Sequence, residues 1–382
     1  MFVENTIPAI QEGMQTFDGI ETDVRLTIDK KLVLFHDRKL HPSAIAELDG
    51  SKYVESHTLE ELKSVGIPSL EEVFQHNRIG KRWQNEAKFL DIEFKLPYPG
   101  AKLTKGWFST SGPRAHLAEM YHELDYLLTE YNIPTHNVAT IGFSEQLLRA
   151  RKKANCTHIP SSIIRPCIQP WGGPLVERVR SFPAYTLNPF SRSLTKAKKE
   201  DSPLIPMALN YLLPISRRIV FGRPIGIRGK AAKRFMDKAK GFSVHVFPSR
   251  LDLEWDLYDL GVTTICDQPP SESEVDSSGK ARWLSPATRP LSLDEERQLR
   301  SLTNNEAIEL RQDFLKEIPS WSELDSNERR KHLLSWSKRW NWSRSINQLE
   351  LESEDNRLPR EAVRIIGHRG NGLTGRPIPR LK

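Results

Sequence analysis

"FDGIETDVRL", residues 17–26, sets two carboxylates, Glu21 and Asp23, two positions apart in an otherwise apolar, β-branched run. On a strand, residues i and i+2 point to one face, so both charges converge on one spot. Buried together they repel each other and lose hydration, and a fold keeps such a pair where a cation sits between them. Three further stretches share the form of an apolar run ending in polar residues: "LVLFHD" (32–37), "LDIEFK" (90–95) and "RIIGHRG" (364–370). Charged residues at the C-terminal ends of strands are where a β/α barrel builds its active site.

Outward from these strands the pattern alternates. Residues 5–16 read as a helix with Asn5 or Thr6 as cap and Pro8 in its first turn. "TLEELKSVG" has the capping-box form, Thr58 to Glu61, ended by Gly66, and "PSLEEVFQHN" is another helix start. Residues 114–131 form an amphipathic helix, and "NVATIGF" is a strand leading into the helix "SEQLLRARKKAN". "AKRFMDKAKG", "FSVHVFP", "LDLEWDLYDLG" and "VTTICD" continue the alternation as helix, strand, helix and strand. Such alternation predicts parallel β/α units. Residues 157–230 hold many prolines and fix boundaries only loosely. Residues 269–282 have the composition of an exposed linker. Two or three helices follow, with boxes at Ser292–Glu295 and Thr303–Glu306, then the Trp-rich stretch 321–342, whose Trp336 and Trp340 are expected to pack this segment onto the barrel. The last strand, after a helical segment, needs a sheet to join.

At 382 residues the chain suffices for one large domain with an appendage. A net charge of +7 points to an anionic partner of unspecified kind. Cys156, Cys167 and Cys266 are too few and too widely spaced for a disulfide framework or a CxxC metal pair, which indicates a reducing compartment. The start "MFVENTIPAI" lacks a basic and apolar leader pattern, and no run reaches the length of a membrane span. The expectation is a soluble, cytoplasmic protein.

The residue set fits cleavage of a phosphodiester. Glu21, Asp23 and Glu93 make an oxygen-rich pocket for a hard cation, Ca²⁺ or Mg²⁺. Arg369 and Lys95 would clamp phosphate oxygens. His36 and His368 would exchange protons with nucleophile and leaving group. Neither imidazole has a second histidine at metal-site spacing, which argues against zinc.

These motifs, "VENTIPAI", "GIETDVRLTID", "LVLFHD", "IPSLEEVF" and "LDIEFK", resemble the glycerophosphodiester phosphodiesterases over residues 3–95, with weaker similarity at 140–150 and 260–269. The resemblance implies an α/β fold, a (β/α)8 TIM barrel of the phospholipase C-like phosphodiesterase type, and metal-dependent hydrolysis of glycerophosphodiesters to sn-glycerol 3-phosphate and an alcohol. It places the family's metal-binding Glu-x-Asp on Glu21 and Asp23, its later glutamate on Glu93, one catalytic histidine on His36, and the other with its arginine on His368 and Arg369. In the family the His-Arg-Gly strand comes first; here it comes last. The simplest reading is a circularly permuted barrel with residues 1–270 supplying strands two to eight, 271–360 a linker and small helical appendage, and 361–382 the first strand and active-site loop. A misassembled coding sequence or a truncated second copy is the rival.

Among functions, the alternatives are a barrel phosphodiesterase of phospholipase type, directed to lysophospholipids, phosphoinositides or sphingolipids, and an inactive scaffold in which His368 lies far from Glu21. A nucleic-acid binder would need aromatic residues interleaved on a basic sheet face, a pattern the sequence lacks. The basic stretch 216–240 leaves weak contact with an anionic membrane as a partner expectation. The remaining histidines have no assigned role, and of these His245 alone sits on a strand of interest.

Overall fold

A computed structural model describes residues 2–48, 50–97, 100–101, 111–165, 186–202, 204–219, 221–267 and 273–372. Its nine strands are β1 (Gly19–Leu26), β2 (Leu32–Leu34), β3 (Phe89–Phe94), β4 (Val138–Gly142), β5 (Ser161–Ile163), β6 (Leu204–Ala208), β7 (Ser243–Phe247), β8 (Thr264–Asp267) and β9 (Arg364–Gly367). All except β2 run parallel, in the order β5-β4-β3-β1-β9-β8-β7-β6. At the seam Ser162 Oγ donates to Leu204 O at 2.8 Å and Arg165 N to Pro206 O at 3.1 Å, so β5 lies beside β6 and the eight strands form a nearly closed barrel with outer helices. Every residue of β1 is buried, as expected for a strand covered by side chains within and helices without. Among the described residues no helix is long and apolar enough to cross a membrane.

The terminal strand completes the ring. β9 pairs with β8 from Thr264↔Arg364 to Asp267↔Gly367 and touches β1 at Ile20↔Gly367. It is thus wedged between two strands that precede it in the chain by about 100 and 340 residues. Below it, at the N-terminal ends of the strands, a buried carboxylate ties distant segments together. Asp18 accepts hydrogen bonds from Ala287 N (3.2 Å), Thr288 N (2.7 Å), Thr288 Oγ1 (2.8 Å) and Ile365 N (3.1 Å). Lys88, buried beside it, donates to Phe17 O at 2.5 Å. Above β9, residues 368–372 lie directly on the start of helix α1 (Ile7–Thr16), which Thr6 caps. Asn5 N donates to Arg369 O at 3.0 Å. Gly370 adopts φ +74°, and a Cβ there would meet Ile10 N at 2.8 Å; both the backbone angle and the close approach require glycine.

Several expectations need correction. "LVLFHD" is not a barrel stave: β2 pairs antiparallel with β1 from Val24↔Leu34 to Leu26↔Leu32, as a hairpin whose turn holds Lys30 at φ +64°. A tight turn permits only antiparallel pairing, whereas a parallel neighbour needs a long crossover. His36 therefore sits in a loop folded back over β1 rather than at a strand end. Asn77–Asn85 is a separate helix, with Ile79, Gly80 and Trp83 buried, beyond the shorter helix Leu70–Gln75. The expected linker at 269–282 is structured where described. Ala281 and Arg282 are buried, and Arg282 forms a two-pronged ion pair with buried Glu254 at 2.9 and 2.7 Å. The following segment has four helices, Leu293–Ser301, Asn304–Glu317, Ser326–Arg339 and Ile346–Glu352. Ser292 forms its capping box; Thr303 makes no side-chain cap bond, while Asp325 and Ser345 form boxes that were not anticipated. Trp340 does fasten this segment to the barrel's outer layer: its Nε1 donates to Tyr258 O at 3.0 Å and its ring meets Tyr258 edge-on.

Candidate active site

The parallel register of β1 and β3 sets Glu21 beside Asp91 and Asp23 beside Glu93, so carboxylates from both strands project into the barrel. One oxygen each from Glu21, Asp23 and Glu93 lies within 4.8 Å of the others. Oxygens sharing a bound Ca²⁺ or Mg²⁺ are about 3–5 Å apart, so this all-oxygen set fits a hard divalent cation. Lys95 extends from the end of β3 between two of them, its Nζ 2.8 Å from Asp23 Oδ1 and 2.5 Å from Glu93 Oε1. Part of the cation that the acidic pair on β1 demands is therefore this ammonium.

His368 and Arg369 arrive from the turn after β9. His368 Nε2 is 3.7 Å from Glu21 Oε2, and Arg369 N donates to the same oxygen at 2.9 Å. Arg369 takes φ +52°, a left-handed conformation that directs its guanidinium back across the acids. Its Nε is 3.3 Å from Asp23 Oδ2 and its Nη1 is 2.5 Å from Glu4 Oε2. His36, on the loop after β2, places Nδ1 3.0 Å from Asp37 Oδ1, and a ring nitrogen lies within 4.8 Å of carboxylate oxygens of Glu4 and Asp37. All seven residues singled out in the sequence thus gather at the C-terminal end of the barrel strands.

Electrostatics divide the two acids of β1. Burial, reinforced by the charges of Asp23 and Glu93, raises Glu21 well above the ordinary carboxylate range against the pull of Lys95 and the Arg369 amide. Burial also pushes Asp23 up, but Lys95, His36 and Arg369 outweigh it and hold Asp23 ionised far below the usual value. Burial lowers His36 to about 4, with Lys95 adding to the effect and Asp23 opposing it. Burial and the neighbouring Arg369 lower His368 to about 3. Both imidazoles are neutral at pH 7, each with a lone pair able to accept a proton.

Two site residues, Asn5 and Glu4, had no site role in the sequence reading, and a third, His245, was singled out there without one. Asn5, buried at φ +55°, donates to Asp23 Oδ2 at 3.1 Å while its Oδ1 accepts from Thr22 Oγ1 (2.8 Å) and Asp23 N (3.1 Å), fixing the aspartate's orientation. Glu4 anchors Arg369. The "EN" beside α1 was available as a signal only through the family resemblance. His245 Nδ1 lies 3.1 Å from Asp91 Oδ2, both buried, in the cavity lined also by Glu21, Glu93 and His368. A histidine at the centre of a strand buried on both faces was the available signal.

Residues 1–104 match the model of the Glycerophosphoryl diester phosphodiesterase family. Among curated proteins, a glycerophosphodiester phosphodiesterase from Caldanaerobacter subterraneus subsp. tengcongensis is 27% identical over 238 residues, 57% of this chain and 85% of that protein. Among solved structures, a phosphodiesterase from Oleispira antarctica in complex with the product sn-glycerol-3-phosphate aligns at TM-score 0.45 and 17% identity, over 71% of this chain and 90% of that one. A glycerophosphodiester phosphodiesterase from Parabacteroides distasonis aligns at TM-score 0.44 and 16% identity, over 70% and 87%.

Proposed function

We propose that this chain, whose first 104 residues match the model of the Glycerophosphoryl diester phosphodiesterase family, hydrolyses glycerophosphodiesters to sn-glycerol 3-phosphate and an alcohol, and lysophospholipids to the acylated form of that phosphate and an alcohol. One observation carries the reading: β9 brings His368 to within 3.7 Å of Glu21, beside three carboxylates that converge within 4.8 Å. An inactive scaffold with a detached terminal segment predicts the opposite. The wedge of β9 between β8 and β1 also supports reading the chain as circularly permuted relative to the family's motif order, with β9 completing the ring begun by the earlier strands; the expected active-site loop beyond residue 372 lies outside the described residues.

Glu21, Asp23 and Glu93 would hold a Ca²⁺ or Mg²⁺ ion, which would neutralise charge on a non-bridging phosphate oxygen. Asn5 and Lys95 keep Asp23 and Glu93 turned into the site. Arg369, braced by Glu4 and Asp23, presents its guanidinium to the phosphate, and Lys95 adds a point charge beside it. One neutral imidazole takes the proton of the nucleophile, either water or the glycerol hydroxyl adjacent to the phosphate. The other gives a proton to the leaving alkoxide, and the negative charge of a bound phosphodiester favours the imidazolium this requires. Asp37, hydrogen-bonded to His36 Nδ1, fixes the orientation of that ring.

The test is incubation of chelator-treated protein with glycerophosphocholine or lysophosphatidylcholine, with and without Mg²⁺ or Ca²⁺. Release of choline with glycerol 3-phosphate or its acylated form, only after metal is restored, is expected. Absence of product with both metals, or turnover indifferent to chelation, would overturn the proposal.

A further inference from the structure

We propose that the catalytic face of the barrel docks on an anionic membrane surface through the described parts of the loops that follow β5 and β6, residues 186–192, 209–219 and 221–234. Both loops leave the C-terminal ends of their strands, the same end that carries His368 and the three carboxylates. Between residues 202 and 236 the sequence holds seven lysines and arginines, at 217, 218, 223, 228, 230, 233 and 234, and no aspartate or glutamate. In the structure Arg217, Arg218 and Arg234 line one groove with Gly222. Arg217 Nε has no hydrogen-bond partner, and no carboxylate among the described residues pairs with Arg217, Arg218 or Arg223. Arg218 and Arg223 are exposed.

The apolar half of the surface sits in the same place. Phe221 is 67% exposed and Leu187 53%, the one on the loop after β6 and the other on the loop after β5. Phe221 N donates to Thr186 O at 3.1 Å, which joins the two loops, and exposed Arg192 donates through Nη1 to Leu187 O at 3.1 Å. A single exposed apolar residue is ordinary. Two on adjoining loops, framed by uncompensated arginines on the catalytic face, match what an interface with lipid requires. Aromatic and aliphatic side chains enter the headgroup boundary while guanidinium groups meet anionic headgroups. A small water-soluble substrate needs none of this exposure. Docking in this orientation would present the barrel mouth to phosphodiesters held in the bilayer, and the surface stands whether or not the site hydrolyses them.

The test is sedimentation of the full chain with vesicles of phosphatidylcholine alone and with a quarter phosphatidylglycerol, at low and raised salt, without any turnover measurement. Binding is expected only with phosphatidylglycerol and only at low salt. Each charge near the surface contributes roughly fivefold in partitioning, so the double variant Arg218→Glu, Arg223→Glu should weaken binding at least ~25-fold. Phe221→Asp should weaken it independently. Both variants should keep the wild-type circular dichroism spectrum and thermal midpoint. Failure of the wild type to sediment with anionic vesicles, or equal binding by the variants, would overturn the proposal. So would complete displacement by millimolar inorganic phosphate, which would instead mark the groove as a site for a single phosphate group.

Discussion

Replacing Asp18 by Asn tests whether one buried carboxylate holds the terminal strand in the ring. Its oxygens accept three backbone N–H groups and one hydroxyl, from residues 287, 288 and 365. An amide keeps one acceptor oxygen but turns an NH2 group toward N–H donors. Leaving a buried donor unmet costs about 1–3 kcal/mol, and bonds to a charged acceptor contribute about 1.5–3 kcal/mol each. Two lost partners, less the relief of not burying a charge, give a net destabilisation of about 3–5 kcal/mol. For a chain of 382 residues that is a melting-point drop of about 4–6 °C. Lys88 sharpens the test. Burial pulls its ammonium down to about 8 against the attraction of Asp18 and, less strongly, Glu86, so without the Asp18 carboxylate this buried group loses its strongest counter-charge. The double variant Asp18→Asn, Lys88→Met should therefore recover part of the loss, a positive coupling in a double-mutant cycle. Calorimetry supplies all four melting points. An Asp18→Asn protein melting within 2 °C of wild type, or strictly additive variants, would refute the reasoning.

Gly370→Ala forces a side chain onto a φ of +74° and against the backbone of Ile10; a loss of about 2–4 kcal/mol in urea unfolding with at least a tenfold fall in kcat is expected, because His368 and Arg369 share the turn. His36→Ala and His368→Ala should each lower kcat by about 10²–10⁴ while leaving the thermal midpoint near wild type, and near-normal turnover in either would remove that residue from proton transfer. Half-buried His116 is lowered to about 3 by desolvation and by Arg25, and His136 to about 4, chiefly by desolvation. Because the unfolded chain takes up these protons first, stability should fall as pH drops below about 6.5, by up to about 1.4 kcal/mol per unit for each group. His116→Gln should flatten the dependence of the urea midpoint between pH 7 and 5, and an unchanged slope would count against the burial argument.

The two-residue alternation of Glu21 and Asp23 was legible because a strand's side-chain period is local, and so were the capping boxes at Thr58 and Ser292. β2 was grouped with the staves because an apolar run looks alike whether its neighbour is parallel or antiparallel; the turn at residues 29–31, legible in the sequence, is what makes the pairing with β1 antiparallel. The helix Asn77–Asn85 was hidden because only His76 separates it from its predecessor and that residue makes no side-chain cap bond. Asp91 and His245 lie 154 residues apart, and only closure of the ring makes them neighbours. Arg282 and Glu254 are another such pair: a polar, Ser-rich approach masks a buried ion pair that depends on tertiary context.

The wedge of β9 carries a consequence for vectorial synthesis. Every other stave is translated before residues 364–367, so β1 and β8 emerge as raw sheet edges with unpaired backbone groups. At about 5–20 residues per second, the roughly 100 residues between β8 and β9 leave those edges bare for several seconds on each ribosome. The helices at 293–352 are made in that interval, and their tryptophans can already settle on the outer layer. The nascent barrel thus waits, unsealed and without one of its imidazoles, until its closing piece is delivered.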